Sequence, residues 1–407
     1  MSTKKNIGFL IGGTALAQIF TFAISPILTR LYTPESFGVL GVVLAASSII
    51  AVFAHLRLNL AIAKSNNINE ANLILKTSIF FSILLCLLSS ILLILSNIIF
   101  NNSYSFIIVV FVFLVSLANV LIDIFNYWQS YRGKHNLSAR NAVVRSFSTG
   151  ITQIVLGFFN NFGLIFGVIV GSAVSLFLFL KEFLSTKNRL RVPLNKRRIL
   201  FVLRKYKDFP LYSMPQGLIA SSSLNSVPII LGSKFGVAVA GQYWLAYRIL
   251  LAPIALIGGA YRQALHPIYS KVAINDKIKM TRRHTVFFLL LFFPFTILVF
   301  LFSELFFISI FGSEWRVAGE FAAWLILCFG LDIAKVPSIC FLQASGHNKF
   351  LLYYEIFVAI LRILTVLILS VYSDYLNTVK FFSISSAILT LILIFICLFI
   401  PFRLGRN

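Results

Sequence analysis

The sequence is poor in charged residues, and acidic residues are especially few. Only 12 Asp and Glu stand beside 35 Lys and Arg in 407 residues, and charged residues make up 12% of the chain. A typical soluble domain carries about 25% charged residues. Hydrophobic residues make up 59% of the chain, and 43 of them are phenylalanine. The composition therefore excludes an ordinary soluble fold and predicts that lipid surrounds most of the protein.

Cysteine and histidine are also scarce, at four and five residues. Cys86, Cys328, Cys340 and Cys397 lie singly inside apolar stretches, which indicates neither a disulfide framework nor a zinc site. The sequence has no histidine and carboxylate cluster with metal-ligand spacing and no Walker loop for ATP phosphates. We therefore predict a protein without a metal or a cofactor.

What the sequence has in abundance is long apolar runs. Each run approaches the roughly 20 residues that a helix needs to cross a bilayer core of about 30 Å. The runs are continuously apolar and do not alternate, which favours helices over a β-barrel. The predicted spans cover residues 7–29, 37–56, 77–100, 106–128, 142–159, 162–180, 209–231, 238–260, 286–302, 318–342, 351–371 and 378–401. The sequence thus predicts an all-α integral membrane protein with about 12 transmembrane helices.

Most basic residues lie in alternate gaps between these runs, and such gaps face the cytoplasm in membrane proteins. The other gaps hold only Arg30, Lys234, Arg316 and Lys380. This pattern predicts that both termini are cytoplasmic. The net charge of +23 is then divided among separate short stretches. Such a distribution favours contact with anionic lipid headgroups and argues against a nucleic-acid partner.

The most basic gap, residues 181–208, lies close to the middle of the chain and is predicted to connect two six-helix bundles, residues 1–180 and 209–407. An even number of crossings makes the two halves parallel repeats around a central cleft. Two pairs of similar short segments support the repeat. They relate the segment beginning at Pro26 to that beginning at Pro228, and residues 129–136 to residues 343–348.

Six ionisable residues are predicted at bilayer depth, where an unpaired charge costs at least about 2.5 kcal/mol. They are Asp123, Arg248, Asp332, Lys335, Glu355 and Arg362. Arg248 and Arg362 are far in sequence from acidic residues, which favours exposure to a hydrated cavity. Asp332 and Lys335 are three residues apart on one helix face, so a structural ion pair is the alternative to a functional role. Glu355 is predicted at the membrane interface.

Two predicted spans have polar faces. The face of the first span holds Thr14, Gln18, Thr21 and Ser25, and the polar zone of the seventh holds Gln216, Ser222, Ser223, Asn225 and Ser226. The first set follows helical spacing and therefore shares one side of its helix. Such faces either pack helices against one another or line a water-filled cleft.

Three stretches carry a likeness to a known family: Pro26 to Gly38, Ile257 to Lys271 and Phe311 to Gly319. These stretches, and the chain from end to end, resemble the Wzx-type O-antigen and polysaccharide flippases of the multidrug/oligosaccharidyl-lipid/polysaccharide exporter superfamily. The resemblance implies a multi-pass protein of the bacterial inner membrane that is not an enzyme. It also implies that undecaprenyl-pyrophosphate-linked repeat units move from the cytoplasmic to the periplasmic leaflet by alternating access.

The resemblance further implies a lipid-linked oligosaccharide cargo, coupling to an H⁺ or Na⁺ gradient, and association with polysaccharide polymerase machinery. Arg30 lies in a matching stretch, and the other candidates follow from depth and polarity. The predicted substrate cleft contains Arg30, Arg248, Arg362, Thr14, Gln18, Gln216 and Asn225, and the predicted ion-coupling residues are Asp123, Asp332 and Lys335. Arginine suits pyrophosphate because its guanidinium binds phosphate oxygens in pairs.

Two other functions remain open at the level of sequence. A multidrug exporter of the same superfamily handles cations, and its buried carboxylates should lack compensating arginines. A membrane polymerase or ligase should carry a large outer loop with catalytic residues, whereas the longest predicted outer segment is about residues 303–317.

Overall fold

The computed structural model describes residues 3–99, 106–159, 161–185, 193–269 and 272–399, and every regular element in these ranges is helical. The first helices are α1 (Thr3–Leu31), α2 (Pro34–Ala54), α3 (Leu58–Ile62), α4 (Ile68–Ile99), α5 (Phe106–Tyr131), α6 (His135–Gly157), α7 (Gly163–Ser185), α8 (Lys196–Lys205) and α9 (Met214–Phe235). The others are α10 (Val237–Tyr269), α11 (Ile274–Phe311), α12 (Arg316–Ala334), α13 (Val336–Ala344), α14 (Asn348–Tyr372) and α15 (Tyr375–Phe399). A π-helical turn, Phe209–Ser213, precedes α9.

Within the described ranges, ten helical segments are long and apolar enough to cross a membrane. They are formed by α1, α2, α4, α5, α7, α10, α11, α12 with α13, α14 and α15. The two further predicted spans, residues 142–159 and 209–231, fall on α6 and α9, which carry more polar residues. The prediction of an all-α membrane protein is confirmed, and ten of its about 12 predicted membrane helices have the length and hydropathy of a span within the described ranges.

The long helices present apolar side chains outward. On α4 the side chains of Ile83, Leu87 and Ile91 recur every four residues and are 42%, 45% and 52% exposed. A helical stripe of this kind on a water-soluble protein would face its core. Here the stripe faces away from the protein, which is the arrangement that a lipid solvent stabilises.

Helix bounds differ from the predicted spans where polar residues continue a helix. α11 begins at Ile274, well before the predicted start at residue 286. Hydropathy detects only the apolar part of a helix, so the polar first turns were not predicted. The predicted span 318–342 is two helices, because α12 ends at Ala334 and α13 begins at Val336. Pro337 lies in the first turn of α13, a position that tolerates a residue without an N–H.

The helices divide into two compact units, Met1–Ile229 and Ile230–Asn407. The core of the first unit includes Leu58, Ile74, Phe125 and Trp128, all nearly inaccessible to solvent. One core cluster of the second unit packs α13 against α10, α14 and α15. The predicted division by topology, into residues 1–180 and 209–407 with a connector between them, stays a prediction.

Part of the predicted connector is an amphipathic helix, α8. Asn195 caps it by accepting a hydrogen bond from a backbone N–H of the first turn. Val202 and Tyr206 are buried in the core of the first unit. Lys205 contacts the carboxylate of Glu70, and the Tyr206 hydroxyl donates to Oε1 of the same carboxylate over 3.0 Å. The hydrogen bond to Glu70 raises the pKa of the Lys205 ammonium above its ordinary value.

The similar segments 129–136 and 343–348 form the same turn. Gly133 and Gly346 have φ values of +69° and +80°, which glycine adopts without strain. The backbone N–H of the residue after each glycine donates to the carbonyl five residues earlier, at 2.9 Å in both turns. This is the hydrogen bond of a helix C-terminal Schellman motif. The shared geometry supports the predicted repeat.

Candidate functional site

A polar cavity of about 370 Å³ lies inside the first unit, lined mainly by α1, α5, α6 and α7. Its polar lining consists of Gln18, Thr21, Asn126, Ser138, Asn141, Arg145, Ser146, Thr149 and Ser175. Polar groups at membrane depth are costly when they have no partner, and they mark transport paths in membrane proteins. The cavity is therefore the first candidate site.

Arg145 supplies a positive charge to this cavity. Its Nη2 donates a hydrogen bond to Oδ1 of Asn119 over 2.7 Å. Asp123 follows Asn119 by one turn of α5 and interacts electrostatically with both Arg145 and Arg57. A guanidinium has five N–H donors, so Asn119 can orient Arg145 while other donors remain for a ligand. Arg145 lines the cavity, whereas Asp123 is exposed and is not part of the cavity lining.

Glycines on α7 bring α6 close enough to hold Arg145 in place. Gly163, Gly167 and Gly171 repeat every four residues, the spacing that lets membrane helices approach closely. A Cβ atom at Gly171 would lie 2.8 Å from the backbone oxygen of Arg145 and 2.0 Å from Oγ1 of Thr149. The close contact between α6 and α7 therefore depends on the missing side chain.

The residues of the polar face predicted on α1 do not all have the same surroundings. Gln18 and Thr21 line the cavity, and Oγ1 of Thr21 lies 2.8 Å from Oγ of Ser146 on α6. Ser25 instead donates to the backbone oxygen of Thr21 within its own helix. Thr14 is exposed. Some residues of this face therefore pack against α6 and some line the cavity, and the predicted role of Thr14 and Gln18 in a substrate cleft stays a prediction.

Arg57 is a second basic residue that the sequence did not single out. It follows Leu56, and both have positive φ values, 49° and 55°. Such a backbone costs roughly 1–2 kcal/mol per residue and often marks a functional position. The guanidinium lies against α9, where a Cβ atom at Gly217 would be 2.3 Å from its Nη2. The strained turn therefore directs Arg57 onto the α9 backbone.

Sequence reasoning missed Arg145, Asn119 and Arg57. Arg145 lies near the start of the predicted span 142–159 and is not among the six ionisable residues predicted at bilayer depth. The structure places it inside α6, which starts seven residues before that span, at His135. One signal was present: Asn119, Asp123 and Asn126 follow the i, i+4, i+7 spacing of a single helix face.

The second unit contains a cluster of charges around Asp332. Oδ1 of Asp332 is 2.5 Å from Nζ of Lys335, and Thr390 Oγ1 lies 3.5 Å from the same carboxylate oxygen. Arg362, which is only 8% exposed, donates from Nε to Oγ of Ser386 over 3.0 Å and interacts electrostatically with Asp332. The structure thus brings three of the predicted ionisable residues together and contains the ion pair that was predicted as the alternative to a functional role.

Arg248 stands apart from this cluster. It is half-buried in α10, and no hydrogen bond or ion pair to it occurs within the described part of the chain. An arginine at this depth without a protein partner is available for a ligand or water. Glu355, in α14, is half-buried and has an interaction partner in the structure.

The remaining predicted cleft residues have other positions. Arg30 is exposed in the last turn of α1, and Gln216 is exposed at the start of α9. Asn225 donates from Nδ2 to the backbone oxygen of Ser221 over 2.9 Å within α9. These placements leave their roles in substrate binding as predictions.

Metal chemistry has no recognisable site in the described ranges, since no three His, Cys, Asp or Glu residues there are grouped to hold an ion. All four cysteines are buried and free.

The fold recurs in solved transporter structures. The lipid II flippase MurJ in an inward closed conformation is 13% identical, with a TM-score of 0.70 over 94% of this chain and 86% of that one. A multidrug resistance MATE family transporter of the MOP superfamily, inward-facing, is 15% identical with a TM-score of 0.62, over 98% and 97% of the two chains. A Vibrio cholerae MATE transporter is 11% identical with a TM-score of 0.56, over 96% and 95%. At these identities the likeness concerns the fold.

No curated protein sequence matches the chain. The sequence profile described as "Polysaccharide biosynthesis protein" matches residues 27–320, well over half of the chain. This match agrees with the polysaccharide family that the resemblance predicted. The chain belongs to the polysaccharide biosynthesis protein family.

Proposed function

We propose that the protein flips undecaprenyl-pyrophosphate-linked oligosaccharide repeat units from the cytoplasmic to the periplasmic leaflet of the bacterial inner membrane, for O-antigen or other surface polysaccharide. The observation that carries this proposal is the polar cavity of the first unit, with Arg145 in its wall. Membership of the polysaccharide biosynthesis family supports the choice of cargo. The lipid tail can stay in the bilayer while only the polar headgroup needs a hydrated route.

The cavity is suited to the charged part of such a headgroup. Its volume of about 370 Å³ corresponds to roughly twelve water molecules, which is room for a pyrophosphate and its nearest waters and not for a whole oligosaccharide. Arg145, oriented by Asn119, provides N–H donors for phosphate oxygens. The hydroxyls and amides around it provide partners for sugar hydroxyls.

The second unit supplies further basic groups for the same chemistry. Arg248, without a protein partner in the described ranges, would bind phosphate directly. Arg362 is held by Ser386 and would act over a longer distance. The Asp332 and Lys335 pair is the proposed point of coupling to an H⁺ or Na⁺ gradient, because protonation or cation binding at Asp332 would release Lys335. Alternating access then links binding to transport.

Deleting the gene tests this proposal. Lipid-linked oligosaccharide should accumulate on the cytoplasmic leaflet, and surface polysaccharide should fall. The wild-type gene should restore export in full, and the Arg145→Gln variant should restore only a small, measurable fraction of it. Arg197→Gln is the matched control, because it removes an arginine from α8, away from the cavity. Export that is normal without the gene would contradict the proposal.

A multidrug exporter would give a different result. Loss of the gene would then increase sensitivity to cationic dyes while lipid-linked oligosaccharide stayed at its normal level. Association with polymerase machinery and with anionic membrane lipids belongs to the proposed function and can be examined in the same strains by co-purification.

A further inference from the structure

A second, smaller cavity lies beside the α5–α6 turn of the first unit, with a volume of about 220 Å³. Its lining comes from α5, α6 and α7 and includes Gln129, Arg140, Asn141, Lys181 and Glu182. Apart from the shared residues Asn141 and Phe179, its lining takes no part in the transport chemistry described above. It shares Asn141 and Phe179 with the larger polar cavity, so the two are neighbours.

The charges around this cavity are mostly positive. Glu182 is the carboxylate of the lining, and Lys134 and Arg132 already pair with it, the latter at 3.7 Å. Arg140 and Lys181 also line the cavity, are exposed, and have no hydrogen bond or ion pair within the described residues. Two basic side chains thus remain uncompensated at one small cavity, which is the arrangement that binds a phosphate group.

Two buried side chains of the lining, Asn141 and Gln129, offer hydrogen-bond acceptors, in contrast to the donor groups of Arg140 and Lys181. Asn141 is 95% buried, and its Nδ2 donates to the backbone oxygen of Ser175 over 3.2 Å. This bond fixes the amide, and its Oδ1 is left buried without a partner. Oε1 of Gln129, in a residue only 1% exposed, is also buried without a partner. A buried acceptor without a hydrogen bond costs free energy, so a ligand hydroxyl that donates to these oxygens would be bound favourably.

We propose that this cavity binds a phosphorylated polyol, with phosphate on Arg140 and Lys181 and hydroxyls on Asn141 and Gln129. Its volume equals roughly seven water molecules, which matches one sugar or glycerol unit with its phosphate. Two sources carry this chemistry: the glycosyl phosphate part of a lipid-linked saccharide and the glycerol phosphate headgroup of an anionic phospholipid. Binding at this site does not depend on transport through the larger cavity.

The experiment uses the full-length protein in phosphatidylcholine nanodiscs. Binding of radiolabelled glucose 1-phosphate and of glycerol 1-phosphate is measured by scintillation proximity. The wild-type protein should bind at least one of them saturably, and inorganic phosphate should compete. The double variant Arg140→Gln with Lys181→Gln should weaken binding about tenfold or more, as expected for the loss of charge-assisted hydrogen bonds. Lys196→Gln with Arg197→Gln removes the same charge from α8 and should change binding less than about twofold.

The comparison of glucose 1-phosphate with glycerol 1-phosphate also identifies the natural source of the ligand. Stronger binding of glucose 1-phosphate, unaffected by added phosphatidylglycerol, assigns the cavity to the saccharide. Stronger binding of glycerol 1-phosphate, which phosphatidylglycerol in the nanodisc abolishes, assigns it to the bilayer. The proposal is overturned if neither compound binds saturably, or if the Arg140 and Lys181 variant binds like wild type. It is equally overturned if the α8 control loses as much affinity. If the double variant does not fold, the single variants Arg140→Gln and Lys181→Gln are measured in its place, and binding like wild type in both overturns the proposal.

Discussion

Arg145 and Asn119 are joined by a 2.7 Å hydrogen bond from Nη2 to Oδ1, which links α6 to α5 beside the polar cavity. The bond is charge-assisted, a kind that contributes about 1.5–3 kcal/mol. Its partner atoms lie on different helices, so the bond fixes the direction of the guanidinium relative to the cavity.

The first prediction tests this positioning. Asn119→Ala should reduce polysaccharide export by at least about tenfold, because about 1.5 kcal/mol, the lower bound for a charge-assisted bond, corresponds to that factor. Arg145→Gln should reduce export further. In the Arg145→Gln background, however, Asn119→Ala should have little additional effect. Export is measured in a complemented deletion strain, with membrane abundance of each variant as the control. Independent effects of the two changes would contradict a positioning role.

The second prediction concerns the contact of α7 with α6. Gly171→Ala should destabilise the protein by about 1–3 kcal/mol, because the new Cβ atom would overlap Thr149 Oγ1 and approach the Arg145 backbone. Gly12→Ala is the matched control: no atom lies within 4 Å of its added Cβ, and alanine favours a helix by about 1 kcal/mol. Thermal unfolding in detergent measures both changes. Equal effects of the two substitutions would show that the close contact has no energetic importance.

The sequence predicted the long apolar helices well, because a helix that crosses the bilayer core needs only about 20 mostly apolar residues in a row. The predicted span 351–371, for example, falls within α14, Asn348–Tyr372. The mean hydropathy of such a span is an average over its own residues, so it does not depend on which helices lie beside it. The same average explains why residues 274–285 of α11, which are polar but still helical, were not predicted.

The candidate site was predicted only in part, because it depends on which helix faces meet. Gln18 was identified from its spacing on α1, and the structure places it in the cavity wall. Arg145 was missed, because only the packing of α6 against α5 and α7 brings it to the same cavity. The pairing of Asp332 with Lys335 was foreseen as an alternative, since residues three apart on a helix are neighbours whatever the tertiary structure.

The third prediction concerns the attachment of α8 to α4. Glu70 contacts both Lys205 and Tyr206, so Glu70→Gln removes the ion pair and weakens the hydrogen bond from the tyrosine. We expect trypsin to cleave within the basic residues of α8 several times faster in this variant, since local opening exposes the helix to the protease. Glu314→Gln is the control, because its side chain is exposed and makes no ion pair with any residue that the structure describes. An unchanged cleavage rate would show that apolar burial alone holds α8.

The fourth prediction separates structure from coupling at Asp332 and Lys335. Their side chains are 25% and 19% exposed and their charged atoms are 2.5 Å apart. Asp332→Asn or Lys335→Gln alone leaves one charge without its closest partner and should cost about 3 kcal/mol of stability, seen as a lower unfolding temperature. In the double variant only Arg362 loses its acidic neighbour, and Ser386 still accepts its hydrogen bond, so the double variant should recover part of that loss.

The two single variants and the double variant also test whether Asp332 and Lys335 couple transport to an ion gradient. If Asp332 carries a proton or sodium ion during transport, the double variant should remain folded, but its export should no longer respond to an ionophore that collapses the gradient. Wild-type export should fall under the same treatment. A stable double variant that responds to the ionophore like wild type would assign Asp332 and Lys335 a structural role only. In that case the coupling site would lie elsewhere, and Asp123 beside Arg145 would be the next residue to substitute, because it is an exposed carboxylate close to an arginine of the polar cavity.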